Sequence, residues 1–380
     1  MTGLRPVWAE VDLDAVRANV RVLRDHVSHA TSVMAVVKAD AYGHGAVECA
    51  RAAVEAGAAM LGVALVEEGV ELREAGIDAP IMVLSEPVAS AADTVVEHRL
   101  VPTVYTTGGI EALAKAVISA GADPLPVHLK VDTGMHRVGC SPAEAGRLAS
   151  TVTAHDELLL DGVLTHLAVA DELHHPYNAQ QLAAFDAVLE RLRARALTPR
   201  IVHAANSAAA LVLPEARYDM VRCGIAVYGV PPAAAISGVV PLQPALSVKA
   251  RVSYVQRLAA DEALSYGLRY RLAADAWVAT VPIGYADGIP RNLGAAGGEV
   301  LVGGRRRRIA GAVTMDQLMV DLGDSPAQPG DEVVLLGRQG DEAISAQEIA
   351  GRLGTIAYEV VCGIGPRVPR RYRHVREGAA

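Results

Sequence analysis

The chain alternates eight times between a short apolar run and a stretch of helical character. Amphipathic patterns such as AQQLAAFDAVLERLRARAL separate the runs, which are VMAVVKAD, MLGVAL, IMVLSE, LVPTVY, PVHLKVD, LDGVLTHLA, RIVHAANS and DMVRCGIAVYG. This alternation is typical of a parallel α/β fold, and the number of repeats predicts a closed (β/α)8 barrel of the TIM type. Periodicity alone does not show closure, so an open, doubly wound sheet is the alternative. No G-x-G-x-x-G follows the first strand, which argues against a dinucleotide-binding version of that sheet.

The pattern changes near residue 240, where the helical stretches thin out. Runs such as SVKARVSYVQRL, AWVATVPIGYADG and DEVVLLGRQ, with turn signals between them, predict a mostly β domain. One short helix is expected in SAQEIAGRLG, with Ser345 as its N-cap. The four arginines at 305–308 follow two glycines and are interpreted as part of a solvated hairpin. We therefore expect a barrel domain over residues 1–240, whose first ~10 residues could join the second domain, and a C-terminal β-strand domain over residues 241–380.

Composition narrows the classes of function. A formal net charge of -8 argues against a nucleic-acid partner, and no apolar run reaches the length of a membrane span. The first residues, MTGLRPVWAEVDLDAV, lack the pattern of a signal peptide, so we expect a cytoplasmic protein. None of the four cysteines lies in a C-x-x-C pair. We expect them to be reduced and structural, and we expect no metal site.

Lysine is rare here, with only four among 35 lysines and arginines. Arginine can replace lysine on most surfaces but cannot form an imine, so each remaining lysine is a candidate for chemistry. Lys38 directly follows the first apolar run and precedes Gly43 and Gly45, which mark a tight loop. A lysine at the end of a buried strand is partly removed from water, which suits it for imine formation. An ordinary surface lysine is the alternative at this position.

Other reactive side chains follow the later strands, at the end of a barrel where catalytic groups collect. Ser207 and the main-chain amides near Gly224 follow the seventh and eighth predicted strands, where barrels often bind phosphate. A lysine on the first strand and phosphate donors on the last two would span the barrel mouth. Pyridoxal phosphate has about that shape and needs both contacts. The other candidates are Tyr42, His44, Lys130, Asp132, Arg137, His166, His203, Asn206 and Arg222.

The segment AVVKADAYGHG resembles the cofactor-lysine motif of the alanine racemases. The similarity continues through LKVDTGMHRVG, THLAVADE, HAANSAAAL, MVRCGIAVYG, LSYG, IGYADG, MDQ and YEVVCGIGPRVPR. These motifs follow the family's order and cover nearly the whole chain. The resemblance implies a bacterial isomerase that depends on pyridoxal 5'-phosphate, interconverts L- and D-alanine, and supplies D-alanine for peptidoglycan.

The resemblance also implies how the cofactor is held. Lys38 would hold it as a Schiff base and serve as one catalytic base. Arg222 would face the pyridine nitrogen, and because an arginine cannot protonate that nitrogen, the ring would remain a weak electron sink. His166 would lie against the ring and bond to Arg222, while Arg137 would reach the phenolic oxygen and the substrate carboxylate. The residues that match phosphate contacts are Tyr42, Ser207, Gly224, Ile225 and Tyr358, and Asn206 is counted with the cofactor-binding residues.

Racemisation needs two acid/base groups on opposite faces of Cα. By resemblance, the second group is Tyr266 in LSYG, supplied by the partner subunit of a homodimer whose active sites are shared across the interface. A tyrosine needs a cationic neighbour to act as a base, and Arg137 acting through His166 is expected to provide it. The partner subunit is also expected to place Met315 and Asp316 near the substrate carboxylate.

Further positions match the family in more peripheral roles. Asp171, Tyr285 and Arg291 match residues of the substrate corridor, which would restrict access to small amino acids. Lys130 stands where some members carry a carbamylated lysine, an anion able to hold Arg137 in place. An unmodified lysine paired with Asp132 is the alternative. The sequence departs from many members at Thr314, where they have a cysteine.

Three other functions remain open at this point. A racemase of another small amino acid, such as serine, would share the catalytic residues and differ in the corridor. A decarboxylase of similar architecture would place an acidic group at the pyridine nitrogen, where this chain offers Arg222. A non-catalytic cofactor-binding barrel would lack the β domain that contains Tyr266 and Met315.

Overall fold

The structure is a computed structural model that describes residues 4–373. Contacts between Cα atoms divide these residues into two compact units. One, here called the barrel unit, consists of Val16–Ala41 and Ala46–Gln243. The other, here called the β unit, contains residues 4–15, Tyr42–Gly45 and 244–373. No helix within residues 4–373 combines the length and the hydropathy needed to cross a membrane.

The barrel unit contains eight strands, each parallel to its neighbours. After β1 (Val7–Asp12), which belongs to the β unit, they are β2 (Ser32–Val36), β3 (Met60–Val63), β4 (Ile81–Val83), β5 (Val101–Val104), β6 (Leu125–Lys130), β7 (Leu158–Leu164), β8 (Ile201–His203) and β9 (Met220–Cys223). Their order is β8-β7-β6-β5-β4-β3-β2-β9. Asp219 N donates to Val202 O and Arg222 N donates to Ala205 O, both at 3.0 Å. These bonds join residues in or next to β8 and β9, the two ends of this order, so the sheet is nearly closed and the predicted barrel is confirmed over the open sheet.

Helices separate the barrel strands, and each of the eight apolar runs has become a strand. Local signals set the ends of the helix α6 (Thr107–Ala120), for example. Thr106 caps it by accepting from Gly109 N, and Gly121 ends it at a φ of 58°. The helices in this half of the chain are α1 (Leu13–Val27), α2 (Lys38–Gly43), α3 (Ala46–Glu55), α4 (Val66–Glu74), α5 (Ala92–Glu97), α6 (Thr107–Ala120), α7 (Ala145–Thr153), α8 (Pro176–Arg193) and α9 (Ser207–Val212).

The short helix α2, which follows the first barrel strand, is left-handed. Residues 39–42 have φ between 52 and 55°, and Gly43 follows at 80°. Ala41 N donates to Val37 O at 2.8 Å and closes the turn. A left-handed conformation costs roughly 1–2 kcal/mol for each residue other than glycine. Four such residues in a row therefore store strain directly after Lys38, and strain of this kind concentrates at functional sites.

Gly43 tests how closely this turn is packed. Its φ is 80°, and a Cβ built there would lie 2.6 Å from Val361 O. Gly76 has almost the same φ, 79°, and a Cβ there would meet nothing within 4 Å. We expect Gly76→Ala to lower the free energy of unfolding by about 1 kcal/mol through backbone strain alone. Gly43→Ala should cost roughly 1–3 kcal/mol more, since the carbonyl must move. Urea unfolding of both variants measures the difference, and equal losses would contradict the close approach.

The β unit is built on a sheet with the order β11-β14-β17-β16-β15-β18-β10-β1-β20, in which β1 pairs with β10 and β20. Its later strands are β10 (Leu246–Arg251), β11 (Tyr254–Leu258), β12 (Ala263–Leu264), β13 (Tyr270–Arg271), β14 (Ala276–Val281), β15 (Glu299–Val302), β16 (Arg305–Ile309), β17 (Leu318–Gly323), β18 (Glu332–Gln339), β19 (Glu342–Ile344) and β20 (Arg370–Arg373). The helices are α10 (Ala346–Leu353) and α11 (Ala357–Cys362). This confirms the expected mostly β architecture.

The N-cap predicted for α10 is confirmed, because Ser345 accepts from Glu348 N. The arginine hairpin is also confirmed, since β16 pairs antiparallel with β15 through Gly303 and Gly304. Its predicted solvation holds for Arg305 and Arg308 only, because the other two arginines are half-buried and Arg306 forms ion pairs with three glutamates. All four cysteines are thiols, and three of them are buried, while Cys362 is exposed.

Candidate active site

Four cationic side chains gather at the C-terminal ends of the barrel strands. Lys38 follows β2, Lys130 ends β6, Arg137 lies in the loop after β6, and Arg222 lies on β9. Burial, followed by the charges of Arg222, Arg137 and Lys38, lowers the pKa of Lys130 to about 8. The Lys130 amine donates to Leu84 O at 3.1 Å. Such a concentration of positive charge in a barrel mouth suits an anionic ligand.

Arg222 is only 5% exposed, and hydrogen bonds fix both of its Nη atoms. Nη1 donates to Nδ1 and to O of His203, each at 3.1 Å. Nη2 donates to Thr165 O at 2.8 Å, to Ala204 O at 2.9 Å and to His166 Nδ1 at 3.3 Å. Nε–H is the remaining donor, and no group in residues 4–373 accepts from it. An acceptor on a bound ligand would complete the bonding of this guanidinium.

The surrounding protein also fixes the charges of Arg222 and His166. Burial lowers the pKa of Arg222 to about 10, which leaves it cationic at neutral pH. Burial and then the charges of Arg222 and Arg137 hold the pKa of His166 well below its usual value, so this imidazole is neutral. Because arginine can only donate, His166 Nδ1 accepts from it and His166 Nε2 bears the proton.

The loop after β9 meets the start of α9. Ser207 Oγ accepts from Gly224 N at 2.8 Å and from Ala226 N at 3.5 Å. Since the hydroxyl accepts these bonds, it keeps its own proton for a ligand. Asn206 caps α9 by accepting from a main-chain N–H of that helix, and Ile225, which is fully buried, begins the turn after Gly224. This junction lies where barrels bind phosphate.

Arg137 is exposed, and within the described part of the chain no carboxylate forms an ion pair with it. It lines a small cavity together with Lys130, Asp132 and His166. Asp132 accepts from Gly134 N at 2.9 Å and thereby holds its own loop. Arg137 is therefore positioned to meet an anion that enters this end of the barrel.

The β unit holds the remaining predicted residues except Asp171. The rings of Tyr42 and Tyr358 have centroids 6.1 Å apart and planes tilted by 51°. Asp316 forms an ion pair with Arg367 at 2.7 Å, and the side chain of Arg291 is exposed. Asp171 belongs to the barrel unit and is exposed in the loop after β7.

Two loops of the β unit bring Tyr285, Thr314 and Met315 together, because Tyr285 N donates to Thr314 O at 2.9 Å. The Thr314 hydroxyl donates to Gln317 O at 2.8 Å, so this residue closes its own turn. Met315 is 53% exposed and Tyr285 is 40% exposed. Both side chains are therefore accessible to a ligand or a partner.

Tyr266 is 70% exposed and follows a strained residue. Ser265 has a φ of 64° and a ψ of 179°, a conformation that almost only glycine adopts. Its hydroxyl donates to Ala312 O at 2.6 Å, which helps to hold that conformation. Leu268 also has a positive φ, 51°. Strained backbone on both sides of an exposed tyrosine points to a functional position.

The sequence patterns gave no role to His128 and Asp161, which the structure connects to Arg222. His128 Nδ1 lies 2.8 Å from His203 Nε2, and His128 Nε2 lies 3.5 Å from Asp161 Oδ2. Two signals were present in the sequence. A histidine interrupts the apolar strand LPVHLK, and a glycine follows Asp161 inside the strand LLLDGVL, where glycine often marks a close approach.

Comparisons with known proteins agree with this arrangement. Residues 11–232 match the family described as alanine racemase, N-terminal domain, and residues 245–372 match alanine racemase, C-terminal domain. An alanine racemase from Symbiobacterium thermophilum is 51% identical over 98% of this chain and 98% of its own length. The crystal structure of alanine racemase from Streptomyces lavendulae has a TM-score of 0.93, with 42% identity over 99% of each chain. A histidine racemase from Leuconostoc mesenteroides has a TM-score of 0.90, with 32% identity over 98% of this chain and 99% of that one.

The fold, the cationic barrel mouth and these similarities define the class as racemases that join a β/α barrel to a β domain. Within that class, the chain belongs to the alanine racemase family, since both family domains match and the relative at 51% identity is covered almost end to end.

Proposed function

We propose that this chain interconverts L- and D-alanine with pyridoxal 5'-phosphate bound at the C-terminal end of the barrel. The observation that supports this best is Arg222, whose five hydrogen bonds from Nη1 and Nη2 leave Nε–H as a fixed donor. A neutral pyridine nitrogen is an acceptor of the kind this donor requires. In the enzyme, D-alanine would be made in the cytoplasm for peptidoglycan.

The barrel residues fit the cofactor group by group. The Lys38 amine would bind its aldehyde carbon, Arg222 would donate to the ring nitrogen, and His166 would lie against the ring. Ser207, Gly224 and Ile225, with Asn206 beside them, would hold the phosphate. In the β unit, Tyr42 and Tyr358 are the further phosphate contacts we propose. Arg137 would meet the phenolic oxygen and the substrate carboxylate.

When bound, pyridoxal phosphate supplies a conjugated ring that accepts the electron pair left at Cα after its proton is removed. Arg222 stays protonated, because even a pKa of about 10 lies far above neutral pH. It therefore donates a hydrogen bond and gives no proton to the ring. A ring that is not protonated withdraws electrons weakly, which favours prompt return of a proton to Cα.

Two residues exchange that proton. Once the substrate amine has replaced it on the cofactor, the free Lys38 amine would take the proton from one face of Cα and Tyr266 of the partner subunit would return one to the other face, or the reverse for the other enantiomer. The exposure of Tyr266 and the strain at Ser265 support a role outside its own β unit. We propose a homodimer in which the partner also supplies Met315 and Asp316 to the substrate carboxylate.

The substrate is the part of the proposal that most needs a test. Asp171, Tyr285 and Arg291 would form a corridor that admits small amino acids. The histidine racemase of similar fold shows that this architecture serves more than one substrate class. A panel of L- and D-amino acids, with kcat/KM measured for each, should place alanine first. A clear preference for serine or another amino acid would reject alanine as the substrate while keeping the racemase chemistry.

We also expect Lys130 to be carbamylated. Carbamate forms on a neutral amine, and a pKa of about 8 leaves roughly a tenth of Lys130 neutral at pH 7. The product would be an anion beside Arg137 and Arg222, which relieves the repulsion among these cations. Protein equilibrated with 13C-bicarbonate should show a carbamate resonance that Lys130→Ala abolishes and Lys115→Ala, at an exposed position of α6, retains. Absence of the resonance in the unmodified sequence would contradict the modification.

A further inference from the structure

Four polar side chains of the barrel unit contact one another in sequence. They are Arg222, His203, His128 and Asp161, here called the polar series. His203 and His128 are fully buried, and their rings meet edge to face with centroids 5.0 Å apart. The polar series ends at Asp161 on β7, whose side chain is 16% exposed. Fully buried histidines in a barrel core are costly unless their ring nitrogens have partners. Within residues 4–373, His128 Nε2 has no hydrogen-bond partner, and Asp161 Oδ2 at 3.5 Å is the carboxylate oxygen that it faces.

The order of donors and acceptors along the polar series follows from Arg222. Its guanidinium can only donate, so His203 Nδ1, at 3.1 Å from Nη1, must accept. The proton of neutral His203 therefore lies on Nε2, which faces His128 Nδ1 at 2.8 Å. His128 Nδ1 must then accept as well, which puts the His128 proton on Nε2, facing Asp161 Oδ2 at 3.5 Å. The two tautomers are coupled, and Arg222 at one end and Asp161 at the other favour the same arrangement.

Asp161, at the far end of the polar series, accepts hydrogen bonds from Nε and Nη2 of Arg200, both at 2.9 Å. The nearby His128 imidazole, at 3.5 Å, and the Arg200 guanidinium together hold the pKa of Asp161 at about 2. Its carboxylate is therefore ionised at any working pH and favours the Nε2–H tautomer of His128. Burial keeps the pKa of both histidines below the usual value, so neither adds a charge beside Arg222.

The backbone makes room for the polar series at Gly162. Gly162 is the residue opposite His128 in the β6–β7 pairing, next to a register shift between Val127 and His128. A Cβ at Gly162 would lie 2.3 Å from His128 Nδ1. Any other residue at this position would displace the imidazole from His203, so the glycine and the histidine are required together.

We propose that Asp161 and His128 are positioning residues that act through His203 to fix the tautomers next to Arg222 and thereby aim its Nε–H. This inference rests on the proposed function only for the identity of the ligand atom that accepts from Arg222 Nε–H. In the opposite tautomer, His203 would point an N–H at the Arg222 donors, and the guanidinium would have to turn away. The acceptor at Asp161 prevents this reversal.

The tautomers can be read directly by 15N NMR of the full-length protein labelled at histidine, with the two rings assigned from His128→Gln and His203→Gln. We expect a pyrrole-type Nε2 and a pyridine-type Nδ1 in both rings. An Nδ1–H tautomer in either ring would overturn the proposal. This measurement requires neither substrate nor turnover, so it stands or falls separately from the racemase assignment.

A variant series tests the consequence for Arg222. Asp161→Val removes the acceptor and should shift both imidazole signals toward a mixture of tautomers, while Asp161→Asn, which keeps an acceptor oxygen, should restore them. With alanine, Asp161→Val should lower kcat about tenfold with KM little changed, the loss of roughly one net hydrogen bond. Asp156→Val, at an exposed aspartate just before β7, is the matched control. Unchanged imidazole signals in Asp161→Val would overturn the proposal, and so would shifted signals with kcat unchanged.

Discussion

Lys38→Ala should reduce racemisation of alanine by about 10⁴-fold or more, because it removes both an acid/base group and the covalent attachment of the cofactor. No neighbour can take its place. Lys130 is held by Leu84 O, and the other cations at the barrel mouth are arginines, which form no imine. The loss of activity in Lys38→Ala should appear mainly in kcat, since other residues bind the substrate carboxylate.

Lys115→Ala provides the control, because it makes the same change at an exposed position of a helix. A second readout is independent of turnover. Borohydride should fix the pyridoxyl group to the peptide that contains Lys38 in the unchanged protein, and to no peptide in Lys38→Ala. A Lys38→Ala protein that keeps a tenth or more of the activity would contradict the assignment.

Tyr266→Phe should lower kcat by about 10²–10⁴-fold, the usual contribution of one positioned acid/base group. The ring and its packing remain, so the loss reports the hydroxyl alone. Tyr254→Phe makes the same change at another exposed tyrosine of the β unit and should leave activity unchanged. If both variants behaved alike, Tyr266 would have no role in proton transfer.

Mixing the two inactive proteins tests whether the site is shared. If Tyr266 acts across the interface, a heterodimer of Lys38→Ala with Tyr266→Phe has one complete site. Random exchange of subunits should then restore about a quarter of the activity of the unchanged protein, since half of the dimers would have one working site of two. Subunit exchange must first be demonstrated. If activity is still not recovered, both residues serve the site of the same subunit.

The sequence predicted the barrel because eight apolar runs alternate with amphipathic helices, and each run became a strand. The same runs located Lys38, His166 and Arg222, since strand ends in a barrel converge on one face. Ser345 and the arginine hairpin were also predictable, because capping and turn residues act locally.

Features that depend on tertiary contacts could not be predicted in this way. The left-handed turn after Lys38 consists of alanine, aspartate and tyrosine, none of which requires that conformation by itself. The link from Arg222 to Asp161 depends on a register shift that sets His128 opposite Gly162. The position of Tyr266 beside a strained serine likewise follows from the loop around Ala312 rather than from any local pattern.

The most direct test of the central claim is to follow alanine itself in D₂O. Purified protein loaded with pyridoxal phosphate is incubated with L-alanine or D-alanine, and optical activity and the Cα proton signal are recorded together. We expect either enantiomer to lose its optical activity completely, with solvent deuterium replacing the Cα proton. A protein that contains the cofactor and leaves both enantiomers unchanged would contradict the account.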